Sequence, residues 1–157
     1  AKVKLVLPLT FPEAYDVNDP YLAREIPLSD LKHWELAPSN AQLLQKAGIP
    51  IAFTSFGLKN AEQFWTALRK TISRGLPGQE AFAALTINPA SWLGLDQQIG
   101  TLEAGKWASF SVFTADPFQF EAELLEAWNL GEATYLKTPS RSHIIGTYSL
   151  QLPDATY

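Results

Sequence analysis

The sequence has no cysteine and no methionine. The first absence excludes disulfides, thiolate metal sites and thiol nucleophiles, and leaves the compartment open, because oxidising and reducing spaces both tolerate such a chain. The second removes the initiator, so Ala1 fits initiator removal and a cut from a longer polypeptide equally. Histidine is scarce, at two residues. Basic residues are outnumbered, 12 Lys and Arg against 16 Asp and Glu, for a formal charge of −4. No Lys/Arg cluster is interleaved with aromatics, so the basic footprint of a nucleic-acid binder is missing. No apolar run approaches the ~18 residues of a membrane helix, and no signal-peptide pattern is read. Gly-rich phosphate loops, repeats and low-complexity tracts are absent too.

What is present is an ordinary core-forming composition. The 157 residues are 46% hydrophobic, enough for one domain, or one domain with a small appendage. The opening "KVKLVLPL" is a dense β-branched and leucine run, the pattern of a strand buried on both faces in a parallel sheet. Prolines 12, 20, 27 and 38, with the Asn and Asp residues between them, then predict a loop of roughly 25 residues, a length that is usually functional or ordered by a partner. "NAQLLQKAG" reads as a helix capped by Ser39 or Asn40 and stopped at Gly48. "IPIAFTSFG" follows as a second buried strand, giving a βαβ unit.

Apolar residues at Phe64, Trp65, Leu68 and Ile72 give "NAEQFWTALRKTISRG" a helical period ending at Gly75. "GQEAFAALTINPASWLGL" predicts a helix broken near Asn88-Pro89 and a last turn ending at Gly94. The period then changes. "GTLEAGKWASFSVFTADP" predicts a strand, a tight turn at Glu103 to Lys106 and an alternating strand from Trp107 to Thr114. "LLEAWNLGEATYL" predicts a hairpin around Asn129 to Glu132, and "SHIIGTYSLQL" one more strand. The expected organisation is α/β over residues 1–95 and β-rich over 96–157.

Residues 84–118, "ALTINPASWLGLDQQIGTLEAGKWASFSVFTADPF", resemble the C-terminal signature of the amidohydrolase superfamily: a helix bearing A-T-x-N-P-A-x-x-L-G-L, then "IG-x-L-x-x-GK-x-A-D" and a strand ending in D-P. "LLEAWNLGEATYL" is similar to the hairpin of that superfamily's small β-sandwich. Ser109 departs from the pattern, standing where Asp commonly follows Ala. The resemblance implies a fragment of a (β/α)8 barrel, with "KVKLVLPL" as the seventh strand and "KAGIPIAFTSFG" as the eighth, followed by a composite sandwich portion. It also implies a metal-dependent hydrolase of C–N bonds, amide or cyclic amide, as the parent. The remaining metal ligands of the superfamily belong to strands this chain does not contain.

The superfamily's strand-eight pattern is A-G-[IV]-P-[VI]-A-[LF]-G-[ST]-D-G. Its Asp binds the metal and takes the proton from the attacking water. Residue by residue, Ser55 matches the hydroxyl position and Gly57 the glycine, and Phe56 falls on the Asp. A phenyl ring can neither ligate a metal nor accept a proton. The expectation is therefore no metal site in this chain, zinc or a similar ion only in the full-length parent, and an inactive fragment. The alternative is a non-catalytic amidohydrolase-like scaffold or binding module. A third reading, an unrelated α/β domain with a groove, requires the 84–118 match to be coincidence.

The pocket candidates are His33, Glu35, Thr54, Ser55 and Phe56. His33 and Glu35 are the only His/carboxylate pair close in sequence, and on the long loop they could exchange protons with a substrate; the preferred plainer reading makes His33 a loop histidine beside an anchoring Trp34. Ser55 has no histidine near it in sequence. Asp16 and Asp19 suit turn chemistry better than calcium, and His143 suits a strand surface. Trp65 and Trp92 are expected in the core, Trp107 and Trp128 in cross-strand pairs. Two parallel strands leave open edges, so the expected partners are the rest of the parent polypeptide or a second copy in a dimer, with a small-molecule substrate.

Overall fold

The protein is described from a computed structural model, which covers residues 3–137 and the backbone of 151–152 and 155–156. Two strands, β1 (Leu5–Pro8) and β2 (Ile51–Thr54), pair in parallel, with Leu5 opposite Ile51 and Leu7 opposite Phe53. Between them run α1 (Pro20–Glu25), α2 (Leu28–Leu36), a 3-10 turn (Ala37–Ser39) and α3 (Asn40–Lys46). After β2 come α4 (Ala61–Ser73), α5 (Gly78–Leu85) and α6 (Ile87–Leu93). A separate antiparallel sheet is made of β3 (Phe110–Phe113), β4 (Leu124–Asn129) and β5 (Glu132–Tyr135) in that order. Two short strands, β6 (Gln151–Leu152) and β7 (Ala155–Thr156), pair with each other. Most of "SHIIGTYSLQL", with His143, lies outside the described residues.

The expected long loop is instead largely helical, and the prolines are the reason. Pro20 opens α1 behind Asp19, whose carboxylate accepts the Tyr21 N–H at 2.8 Å. Pro27 is the cap residue of α2, and Pro38 sits in the first turn of the 3-10 segment. At a helix start the missing N–H has no partner to lose and the fixed φ is already helical. The same principle moves the later break: it falls at Thr86 (φ −127°, ψ −74°), and Pro89 lies in the first turn of α6. The strand expected near residue 100 is turn and bend, and β3 begins only at Phe110, which leaves Trp107 half-exposed outside it.

Helix α4 carries the clearest end signals. The Asn60 side chain accepts the Gln63 N–H at 2.9 Å, satisfying one donor that the helix leaves unpaired, while the Gln63 side chain reaches back to accept the N–H of Lys59, just before the cap, at 2.8 Å. At the other end Gly75, at φ +104°, lets Leu76 N–H bond to the Thr71 carbonyl and its own N–H to Ile72, the paired bonds of a Schellman closure. Leu68 on this helix is fully buried, with Leu76, Ala81 and Ala84 beside it and Leu9 and Ile51 from the strand layer. The core therefore lies between the β1–β2 pair and α3, α4 and α5. Burying a leucine side chain contributes about 2 kcal/mol.

Side chains tie the antiparallel sheet to α4 and α5. Arg69 donates to the carbonyls of Pro117 at 3.1 Å and Ala122 at 3.3 Å. Trp65 meets Phe113 edge to face at 5.2 Å, and Phe82 meets Phe118 at 4.4 Å. Within the sheet, Phe110 and Trp128 are directly opposed and stacked at 5.4 Å, the cross-strand pairing expected for Trp128. The hairpin turn is Leu130–Gly131, both with positive φ.

Candidate functional site at the strand ends

Two recesses open where β1 and β2 end. The first, about 470 Å³, is bounded by the chain leaving β1 (Pro8 to Pro12), by Phe53, and by His33, Leu36 and Pro38 above. The second, about 590 Å³, is bounded by Thr54, Ser55, Lys59, Asn60, Phe64 and Trp65. Phe53 borders both.

The local fold at the end of β2 explains where Phe56 goes. Leu58 N–H bonds to the Ser55 carbonyl at 3.1 Å, closing a four-residue turn with Gly57 in its third position at φ +81°. A type II turn requires that sign there. Thr54 Oγ1 also accepts the Phe56 N–H at 3.2 Å. Phe56 thus occupies the outer corner of the turn, 79% exposed, and borders neither recess. Gly57 is fixed by space as well as by φ, since a Cβ there would stand 2.9 Å from the Thr10 methyl. The exits of β1 and β2 are therefore in direct contact.

The five sequence candidates do not converge. His33 lies on α2 rather than on a loop; it is exposed and faces the first recess. Glu35, two residues on, belongs to a different side of the helix. Its carboxylate takes a 2.6 Å ion pair from Arg74. That hydrogen bond, then the Arg74 charge, holds the Glu35 carboxyl below its ordinary pKa and raises that of Arg74. Glu35 is thereby engaged away from His33. Thr54 and Ser55 share the second recess. Trp34 is half-buried, with the Lys70 ammonium 5.8 Å from its ring centre.

Sequence reasoning assigned no role to Asn88, which sits inside the quoted "TINPA" motif. Its Nδ2 donates to the Ile51 carbonyl at 2.7 Å, pinning α6 to β2. The signal was there in the motif itself, as an amide side chain at the start of an otherwise apolar helix.

Among the described residues, no group of three or more His, Cys, Asp or Glu side chains is placed to hold a metal ion. With phenyl at position 56 and His33 as the only described histidine, the donor set does not fit a hydrolytic metal centre, and no chemical step is routed through one.

Comparison with known proteins decides the family. The profile of the "Amidohydrolase family" matches residues 16–135. The chain belongs to the amidohydrolase family. It is 31% identical over 99 residues to "Amidohydrolase tasK" of Hapsidospora irregularis, a match covering 62% of this chain and 10% of that protein. The solved amidohydrolase from Thermotoga maritima MSB8 superposes with a TM-score of 0.57 at 25% identity, over 62% of this chain and 26% of that one. Another solved amidohydrolase gives 0.59 at 18% identity, over 84% and 34%, a likeness of fold. This amidohydrolase-family chain thus spans about a tenth of its curated relative and a quarter to a third of those solved chains. The mixed α/β architecture is that of hydrolases in the family. Metal dependence is general among them, and this chain supplies no metal site among its described residues. No described helix is long and apolar enough to cross a membrane.

Proposed function

We propose that this chain is the C-terminal part of an amidohydrolase-type hydrolase of non-peptide C–N bonds, amide or cyclic amide, whose strand-eight carboxylate position is taken by Phe56. On this reading β1 and β2 are the last two strands of a (β/α)8 barrel, which needs about 250 residues to close, and β3–β5 belong to the flanking sandwich. The reading is supported by the family match over residues 16–135; Phe56, which the resemblance aligns with the superfamily's Asp, is exposed at the outer corner of the β2 exit turn. The chain alone lacks a base and is inactive; the other ligands, for zinc or a similar ion, reside elsewhere in the parent. The free edge of β1 among the described residues pairs with the rest of that polypeptide or with a second copy.

The second reading is a non-catalytic scaffold or binding module within a larger protein, favoured by the dispersal of His33, Glu35 and Thr54 over separate places. Phe56→Asp in the full polypeptide separates the two. Gain of stoichiometric metal supports a hydrolase site lacking one ligand, whereas no gain supports the scaffold. Turnover of amides or cyclic amides by the isolated chain overturns both.

A further inference from the structure

We propose that α2 is a flap over the first recess, latched by two cationic side chains, Lys70 of α4 and Arg74 at its C-cap. Helix α2 contributes no buried residue, and its Leu28 and Leu36 are 65% and 57% exposed. Its apolar contact is limited to the half-buried Leu31 and Trp34, so the packing that supplies most helical stability in proteins is slight here. Three other contacts hold it. The buried ring of Pro38 fixes its C-terminal end to the body. Arg74 grips Glu35 at 2.6 Å. Lys70, one turn earlier on α4, places its ammonium 5.8 Å from the ring centres of both Trp34 on α2 and Phe11 on the β1 exit.

These contacts divide the roles cleanly. Lys70 lies on α4, which is rooted in the core through Leu68, and Arg74 is its C-cap residue, so they are the fixed half of the latch. Glu35 and Trp34 are the moving half. Beneath α2, the recess wall is made by Leu9, Ala41 and Thr71, each almost fully buried, while His33 and Leu36 form the underside of the flap. Swinging α2 about Pro38 uncovers that wall. At the latch the swing is opposed by surface ion pairing and cation–π attraction, whose exposed forms are weak, and by the partial burial of Leu31 and Trp34. The joint at Ile26–Pro27, where the α2 cap makes no side-chain hydrogen bond, gives the other end its freedom.

Amide hydrogen exchange of the full chain tests the latch. Glu35→Gln and Arg74→Gln should each speed exchange over residues 28–36 by about two- to five-fold, the double variant should add nothing further, and α4 should be unchanged. Raising salt from about 0.05 M to about 0.5 M should do the same to the unmodified chain through screening. Lys70→Gln should add to either single variant. Unchanged exchange over 28–36, or acceleration shared equally by α4 and β2, overturns the proposal. Should a variant fail to fold, the salt series on the unmodified chain decides alone: no selective acceleration of 28–36 overturns it.

Discussion

Asn88 Nδ2 donates to the Ile51 carbonyl at 2.7 Å, so the helix of the family signature is fastened to the strand whose end carries Ser55 and Phe56. Ile51 is 3% exposed, and no water replaces the lost donor easily. Asn88→Ala should cost about 1–3 kcal/mol, the penalty of an unsatisfied buried acceptor, read as a lower denaturation midpoint in urea with an unchanged slope.

Gly57→Ala should destabilise through two separable effects. The left-handed backbone at φ +81° costs an alanine about 1–2 kcal/mol, and the new Cβ meets the Thr10 methyl. Adding Thr10→Ser removes that methyl and should recover the contact part, leaving the backbone part. Urea unfolding of the Gly57→Ala variant, the Thr10→Ser variant and their combination measures both.

The Glu35–Arg74 pair sets a pH dependence with a definite sign. The Glu35 carboxyl is held below the ordinary carboxylate value of 4.5, first by the Arg74 hydrogen bond and then by its charge. A depressed folded pKa contributes stability that is complete above the unfolded value and lost as pH falls through the folded one. The latch should therefore loosen below the ordinary carboxylate range. In an NMR titration, Arg74→Gln should move the Glu35 midpoint upward toward its ordinary value; an unmoved midpoint would show that the pair does not persist in solution.

How far the sequence foretold this molecule depended on whether each signal was local. The parallel pairing of the two strands, the Asn60 start and Gly75 stop of α4, and the hairpin at Leu130–Gly131 were legible, since period and punctuation decide them within a few residues; the expected burial of the first strand on both faces was not met, because β1 alternates half-buried with exposed residues and Val6 is 60% exposed. The stretch from Pro12 to Pro38 was misread because proline has two meanings, breaker inside a helix and starter at its first turn. Only the cap that Asp19 offers to Tyr21 distinguishes them. At the site, the position of Phe56 followed from the resemblance, but its exposure followed from the turn closed by Gly57. The engagement of Glu35 with Arg74, 39 residues apart, was beyond any local reading, and it dissolved the His33–Glu35 pairing that proximity in sequence suggested.

The central proposal is that the β2 exit offers a phenyl ring where the resemblance places a carboxylate and that the remaining ligands lie outside this chain, which therefore holds no hydrolytic metal. Its most direct test is elemental analysis of the purified chain after incubation with zinc and removal of free ion. The account predicts well under one equivalent retained. One equivalent retained, and lost on His33→Ala, would contradict it.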